Sequence, residues 1–310
     1  MELTWINKLR IAAVAALGMV VIGILAWPLA APADPLLPVR AAAIGFSGTL
    51  FLLVLAVAIG FVGYFIAWPH GREIGILGVP FGLTVWAGRS GPMRALTQIW
   101  DTTAERTMLV HSLRLEPVYW MLLVAAGFAG VLLAQRLRQA PQCTILDAES
   151  APPPKGPASA QSPSSRSSNN IYTNALVALG LSTVAAEFFM GVFVQNLAMS
   201  HNIPAQPAVG QIFFGVIAAF AIAGFVVKHF LDLSYIVPSL ASLFVIALSQ
   251  VAHYRGETIQ RFAETYPATF FPHSVLAIVP VQLVALGTLG SVLGFWMAVR
   301  YDWWRKHETG

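Results

Sequence analysis

Glu187 lies within an apolar run, Ile171 to Gln195, with no other acid or base near it in the sequence. From the midpoint of that run it is four residues toward the C-terminal end, about 6 Å by helical rise. An ionisable group at that depth is costly to insert and is a functional candidate by default. Its helical face carries Gly180, Thr183, Val184 and Gly191. Small residues mark faces on which membrane helices approach closely, so the carboxyl is expected to point into the protein. Gln282, at matching depth in the last apolar run, is the expected hydrogen-bonding partner, and Gln211 the second choice. Two chemistries suit such a group: a protonated structural acid, or a titrating carboxylate in a proton- or cation-coupled path.

A second candidate is a pair of histidine–acid motifs, His70-x-x-Glu73 and His229-x-x-Asp232. Imidazole and carboxylate three positions apart share a helix face, as the Glu-x-x-His ligands of di-metal bundles do. Here the order is reversed, Gly71 interrupts the first copy, and neighbouring segments offer no third or fourth ligand. The plainer expectation is interfacial ion pairing beside Arg72 and Lys228, with no metal and no cofactor. None of the seven histidines falls in the middle of an apolar run, which also disfavours haem. The sequence contains no P-loop, HExxH, GxSxG or dinucleotide-binding glycine fingerprint, and the balance leans away from an enzyme.

The elements that must hold these residues follow from composition. Of 310 residues, 57% are hydrophobic and 10% charged, with mean hydropathy +0.69; a soluble domain carries about 25% charge. This excludes a soluble globular chain and, equally, a mostly disordered one. A transmembrane β-barrel would alternate apolar and polar residues, whereas these runs are continuously apolar. The net charge of +4 comes from Lys and Arg scattered between the runs, so no nucleic-acid partner is expected. The single cysteine, Cys143, excludes a disulfide framework and any CxxC motif.

About 20 apolar residues make one crossing. Eight segments compete: Ile11 to Ala31, Ala41 to Trp68, Ile74 to Ala87, Pro117 to Ala134, Ile171 to Gln195, Val209 to Val227, Leu233 to Val251 and Val275 to Val299. The third is short and contains Pro80. The first ends in Ala31-Pro32-Ala33, a pattern that a cleaved signal peptide would share; its length favours a retained helix.

The two halves of the chain can be laid over each other. His70 and His229 are 159 residues apart, Glu105 and Glu264 also 159, and Pro80 and Pro238 158. Gly127-x-x-Gly130 and Gly287-x-x-Gly290 are 160 apart, and Pro35 with Pro38 and Pro204 with Pro207 keep the same spacing of three. The expected fold is therefore an all-α integral membrane protein of about eight transmembrane helices, in two tandem four-helix units, 1–138 and 171–310. An even number of helices per unit gives both units one orientation, with a pseudo-axis along the membrane normal.

Between the units, Gln139 to Asn170 is rich in Pro, Ser and Ala and reads as a disordered cytoplasmic linker. Placing both termini in the cytoplasm gives that side eleven of the 18 Lys and Arg, the bias expected of an inner membrane such as that of bacteria. Pro92 to Leu115 and Glu257 to Ala268 mix charged and apolar residues at helical spacing and read as short interfacial helices. Trp68, Trp86, Trp120, Trp296, Trp303 and Trp304 lie near segment ends, where an aromatic belt is expected. The functional expectation is a non-catalytic scaffold or subunit of a membrane assembly, with the lipid bilayer and other membrane subunits as partners. The alternative is a small-solute or ion transporter using Glu187.

Overall fold

The computed structural model describes residues 4–138, 168–197 and 203–308, and among them every regular element is helical. Seven helices are long and apolar enough to cross a membrane, so the chain is an all-α, multi-pass integral membrane protein. The long elements are α1 (Trp5–Gly18, continuing as a wider π-turn through Met19–Leu25), α2 (Phe46–Ile66), α3 (Gly78–Arg89), α4 (Met93–Ile99), α5 (Thr103–Leu137), α6 (Ser168–Phe193), α7 (Val209–Leu231), α8 (Ile236–His253), α9 (Gly256–Glu264) and α10 (Pro280–Glu308).

The short third segment is the exception to the length rule. It runs as a helical turn at Gly71–Ile74, a 3-10 turn at Gly75–Leu77 and then α3. At one end Gly71 is pressed against Tyr64; at the other the Ser90 hydroxyl accepts from the Val39 N–H at 3.0 Å. The segment thus lies between these two contacts without meeting the length criterion for a span. It is lined by glycine because α1 lies directly on it: a side-chain carbon at Gly18 would overlap the Gly78 carbonyl, and one at Gly82 would stand 2.6 Å from the Gly18 oxygen. The first helix is therefore built into the bundle.

Helix association in lipid has no hydrophobic drive of its own and depends on close packing. In the first half α2 packs along α5, and in the second α7 packs along α10. The contacts recur at a constant offset. Gly130 is pressed on the Val57 carbonyl and Gly290 on that of Ile217; Gly60 meets the Gly127 carbonyl, and Gly287 meets the Phe220 ring. Each residue of the second set is 160 positions beyond its counterpart.

Across the halves α10 lies against α3 and α5, while α8 lies against α5. One apolar core joins them, with Trp86 and Trp120 from the first half sharing it with Val284 and Ala285 from the second. The two indoles meet edge to face at 6.2 Å between ring centres, and both are fully buried. These two tryptophans thus belong to the core rather than to an interfacial belt.

Two boundaries differ from expectation. Residues 103–115 are not a separate interfacial helix but the first turns of α5, started by a capping box in which Thr102 and Glu105 bond each other's backbone N–H. The separate short helices that do form in these stretches are α4 and α9. The expected linker lies outside the described residues except for Ser168–Asn170, which open α6; Cys143 is outside them too.

Candidate functional site

Helix α6 divides lengthwise. Ser182, Ala186 and Met190 are buried, as is Val194 just past its end, whereas Val184, Phe188 and Val192 face outward. Glu187 sits on the border between these faces, its side chain 14% exposed. Its Oε1 is 4.0 Å from His253 Nε2, too far for a hydrogen bond, and its Oε2 is buried with no hydrogen-bond partner.

His253 is the last residue of α8, and the fully buried Ser249 lies one turn before it. His273 comes from the loop after α9, where the Val275 N–H donates to its Nδ1 at 3.4 Å and so caps the 3-10 turn Ser274–Ala277. Ser249 Oγ stands 3.4 Å from the same nitrogen and also lies beside Glu187. The two imidazoles stack face to face, 4.4 Å between centres and 2° from parallel. Burial, and then the neighbouring His253, hold the His273 pKa down at about 4, so this ring is neutral at neutral pH. Gly191, one turn beyond Glu187, leaves room for it: a Cβ there would stand 3.3 Å from His273 Nε2.

The three side chains each bring one ligand atom to within 4.8 Å of the others. They line a cleft of about 380 Å³ together with Val184, Phe188, Val192 and Leu248. Three of those four apolar residues are more than half exposed on the flank of the bundle, so the cleft opens sideways rather than through the middle.

The expected amide partners of Glu187 are engaged elsewhere. Gln282, 2% exposed, donates to the Ala87 carbonyl at 3.2 Å and accepts from the Val279 N–H at 3.2 Å. It thereby starts α10 and ties it to α3. Gln211 donates to the carbonyls of Phe193 and Gln195 at 3.3 and 2.7 Å, closing the C-terminal end of α6. In both cases backbone groups at helix ends, which the helix itself leaves unpaired, claim the amide.

The histidine–acid motifs do not converge either. His229 Nδ1 pairs with Asp302 of α10 at 2.7 Å, and Asp232 pairs with Lys228 at 2.5 Å, so the second motif is split between partners. His70 heads the turn Gly71–Ile74, and none of His70, Glu73, His229 and Asp232 belongs to a ligand group among the described residues.

Sequence reasoning missed His253 and His273, which lie 66 and 86 positions after Glu187 at segment ends. The available signal was depth, since Glu187 is only six residues from the end of α6, about 9 Å by helical rise. It also missed a buried ion pair, Arg40 Nε to Glu116 Oε1 at 2.8 Å, which fastens the α1–α2 connection to α5. Compared with protein-family models, curated proteins and solved structures, the chain matches none.

Proposed function

We propose that the chain is a non-catalytic membrane scaffold, a subunit of a larger membrane assembly, made of two tandem four-helix units. The observation that carries this reading is the packing between the halves, where the cavity lined by Arg106, Leu113, Gln250 and Phe271 holds about 30 Å³. A transporter built from repeats keeps its substrate site between them, near the bilayer midplane; here the halves share the Trp86–Trp120 core, and Gln282 bonds the Ala87 carbonyl between the ends of α10 and α3. The recurrence of the Val57–Gly130 contact as Ile217–Gly290 supports the duplication. So does the reciprocal packing of α3 on α10 and α8 on α5, third helix against fourth in each direction, the signature of a self-complementary interface. Both units then share one orientation, with the pseudo-axis along the membrane normal. The Lys and Arg bias supports cytoplasmic termini in a bacterial-type inner membrane, with lipid and neighbouring membrane subunits as the partners.

The second reading, a transporter for protons or small cations, is favoured by one observation: the Glu187 carboxyl, with its Oε2 buried and without a hydrogen-bond partner, beside two imidazoles. Flux measurement separates the two. In proteoliposomes loaded with a pH-sensitive dye, the scaffold gives no proton or cation flux above protein-free vesicles, and Glu187→Gln changes nothing. Flux that needs Glu187 overturns the scaffold reading.

A further inference from the structure

We propose that Glu187, His253 and His273 form a binding site for one divalent transition-metal ion of the zinc class. The site stands on its own residues and does not depend on the scaffold reading. Two imidazoles and one carboxylate are the donor types that suit Zn²⁺ and its first-row neighbours, whereas Mg²⁺ and Ca²⁺ take oxygen ligands. The three ligands come from three separate elements, α6, the end of α8 and the loop before α10, so only the tertiary fold assembles them.

Three observations point to a ligand rather than to chance proximity. Although the Ser249 hydroxyl lies beside the Glu187 carboxyl, its Oε2 is buried without a hydrogen-bond partner, and such an atom is expensive unless something charged or hydrogen-bonding reaches it. A bound cation supplies that partner. The cleft beside the three side chains is open enough to hold a solvent ligand in a fourth position. Finally, Gly191 keeps clear the space in which His273 Nε2 lies.

The present spacing suits a site that closes on its ion. Zinc–nitrogen bonds of about 2.0–2.1 Å in a tetrahedral set place the donor atoms about 3.3 Å apart. With all of them within 4.8 Å now, side-chain rotations of His253 and Glu187, both at the cleft surface, bring them in. A metal on His273 Nε2 leaves the proton on Nδ1, which then donates to Ser249 Oγ in place of accepting from the Val275 N–H. Histidine ligands are commonly oriented by such an outer hydrogen bond. The ion would clamp α6, α8 and the loop before α10 at one end of the bundle.

The test uses the full-length protein in lipid nanodiscs, purified through a histidine-free tag and stripped with chelator. Titration with Zn²⁺ should saturate at one ion per chain, as read by calorimetry and by elemental analysis after desalting. Co²⁺ in its place should give the visible spectrum of a low-coordinate nitrogen–oxygen site. Glu187→Gln, His253→Gln and His273→Gln should each weaken Zn²⁺ binding at least tenfold, and Ser249→Ala about tenfold, in the range seen for outer-shell partners. His111→Gln, an exposed histidine elsewhere, should leave binding unchanged. Because a variant could misfold, the wild-type stoichiometry and Co²⁺ spectrum stand as independent readouts. The proposal is overturned by wild-type protein that binds no ion, by an octahedral Co²⁺ spectrum matching free aqueous Co²⁺, by equal binding in all three ligand variants, or by preference for Mg²⁺ or Ca²⁺.

Discussion

The rings of His253 and His273 lie parallel, 4.4 Å apart, although the residues are separated by a helix and a loop. Flat stacking needs only a second flat ring, whereas metal binding needs a lone pair. His273→Phe therefore separates the two. Losing the Val275 N–H and Ser249 contacts should lower the stability of metal-free protein by about 1–3 kcal/mol. The wild type should gain about 2.7 kcal/mol when Zn²⁺ is present at 100 times its Kd, and His273→Phe should gain none. Thermal unfolding with and without Zn²⁺ reads both.

The close helix contacts make a second prediction. A methyl group at Gly130 runs into the Val57 carbonyl and one at Gly290 into that of Ile217. Gly130→Ala and Gly290→Ala should each cost about 1–3 kcal/mol as overpacked cores do, and by similar amounts. Gly180, with nothing within 4 Å of its added carbon, is the control. Gly180→Ala should be neutral or slightly stabilising, since alanine is the better helix former.

Arg40 and Glu116 form a pair with side-chain exposures of only 16% and 5%. Arg40→Ala leaves the carboxylate buried without its cation and should cost about 3–5 kcal/mol. Adding Glu116→Gln should recover most of that loss, because the remaining amide carries no charge. Equal unfolding temperatures for the single and double variants would show that the pair does not behave as a buried unit.

Tyr235 joins the halves, packing with Ile76 and Leu77 of the first and Val292 of the second. Burial first, then the Glu73 carboxylate, holds its phenol above the ordinary value. An unfolded tyrosine ionises near pH 10, while the folded one keeps its proton. Above that pH the unfolded state holds fewer protons, so stability falls as pH rises. Tyr235→Phe should make the decline in unfolding temperature between about pH 9 and pH 11 shallower. An unchanged slope would remove Tyr235 as its source.

The membrane class and the places of most helices are readable in the sequence because continuous apolar runs have few structural alternatives. Glu187 stands out for the same reason, as the lone acid in such a run. Its surroundings are not readable, because His253 and His273 reach it from segment ends where an imidazole reads as an interfacial group. Depth matching chose Gln282, but an amide beside a helix start is taken by backbone groups, here the Val279 N–H and the Ala87 carbonyl. Trp86 and Trp120 misled for a related reason: position along a segment says how deep a ring lies, not whether it faces lipid or protein.

On the proposed two-unit architecture, the halves should not need the covalent link between them. Residues 1–138 and 168–310, co-expressed as separate chains with a tag on one only, should insert and co-purify at one to one. Gln282→Leu should weaken that association, because it removes the bond to Ala87 that crosses the interface. Recovery of both halves as folded, separate proteins that do not associate would contradict the two-unit architecture.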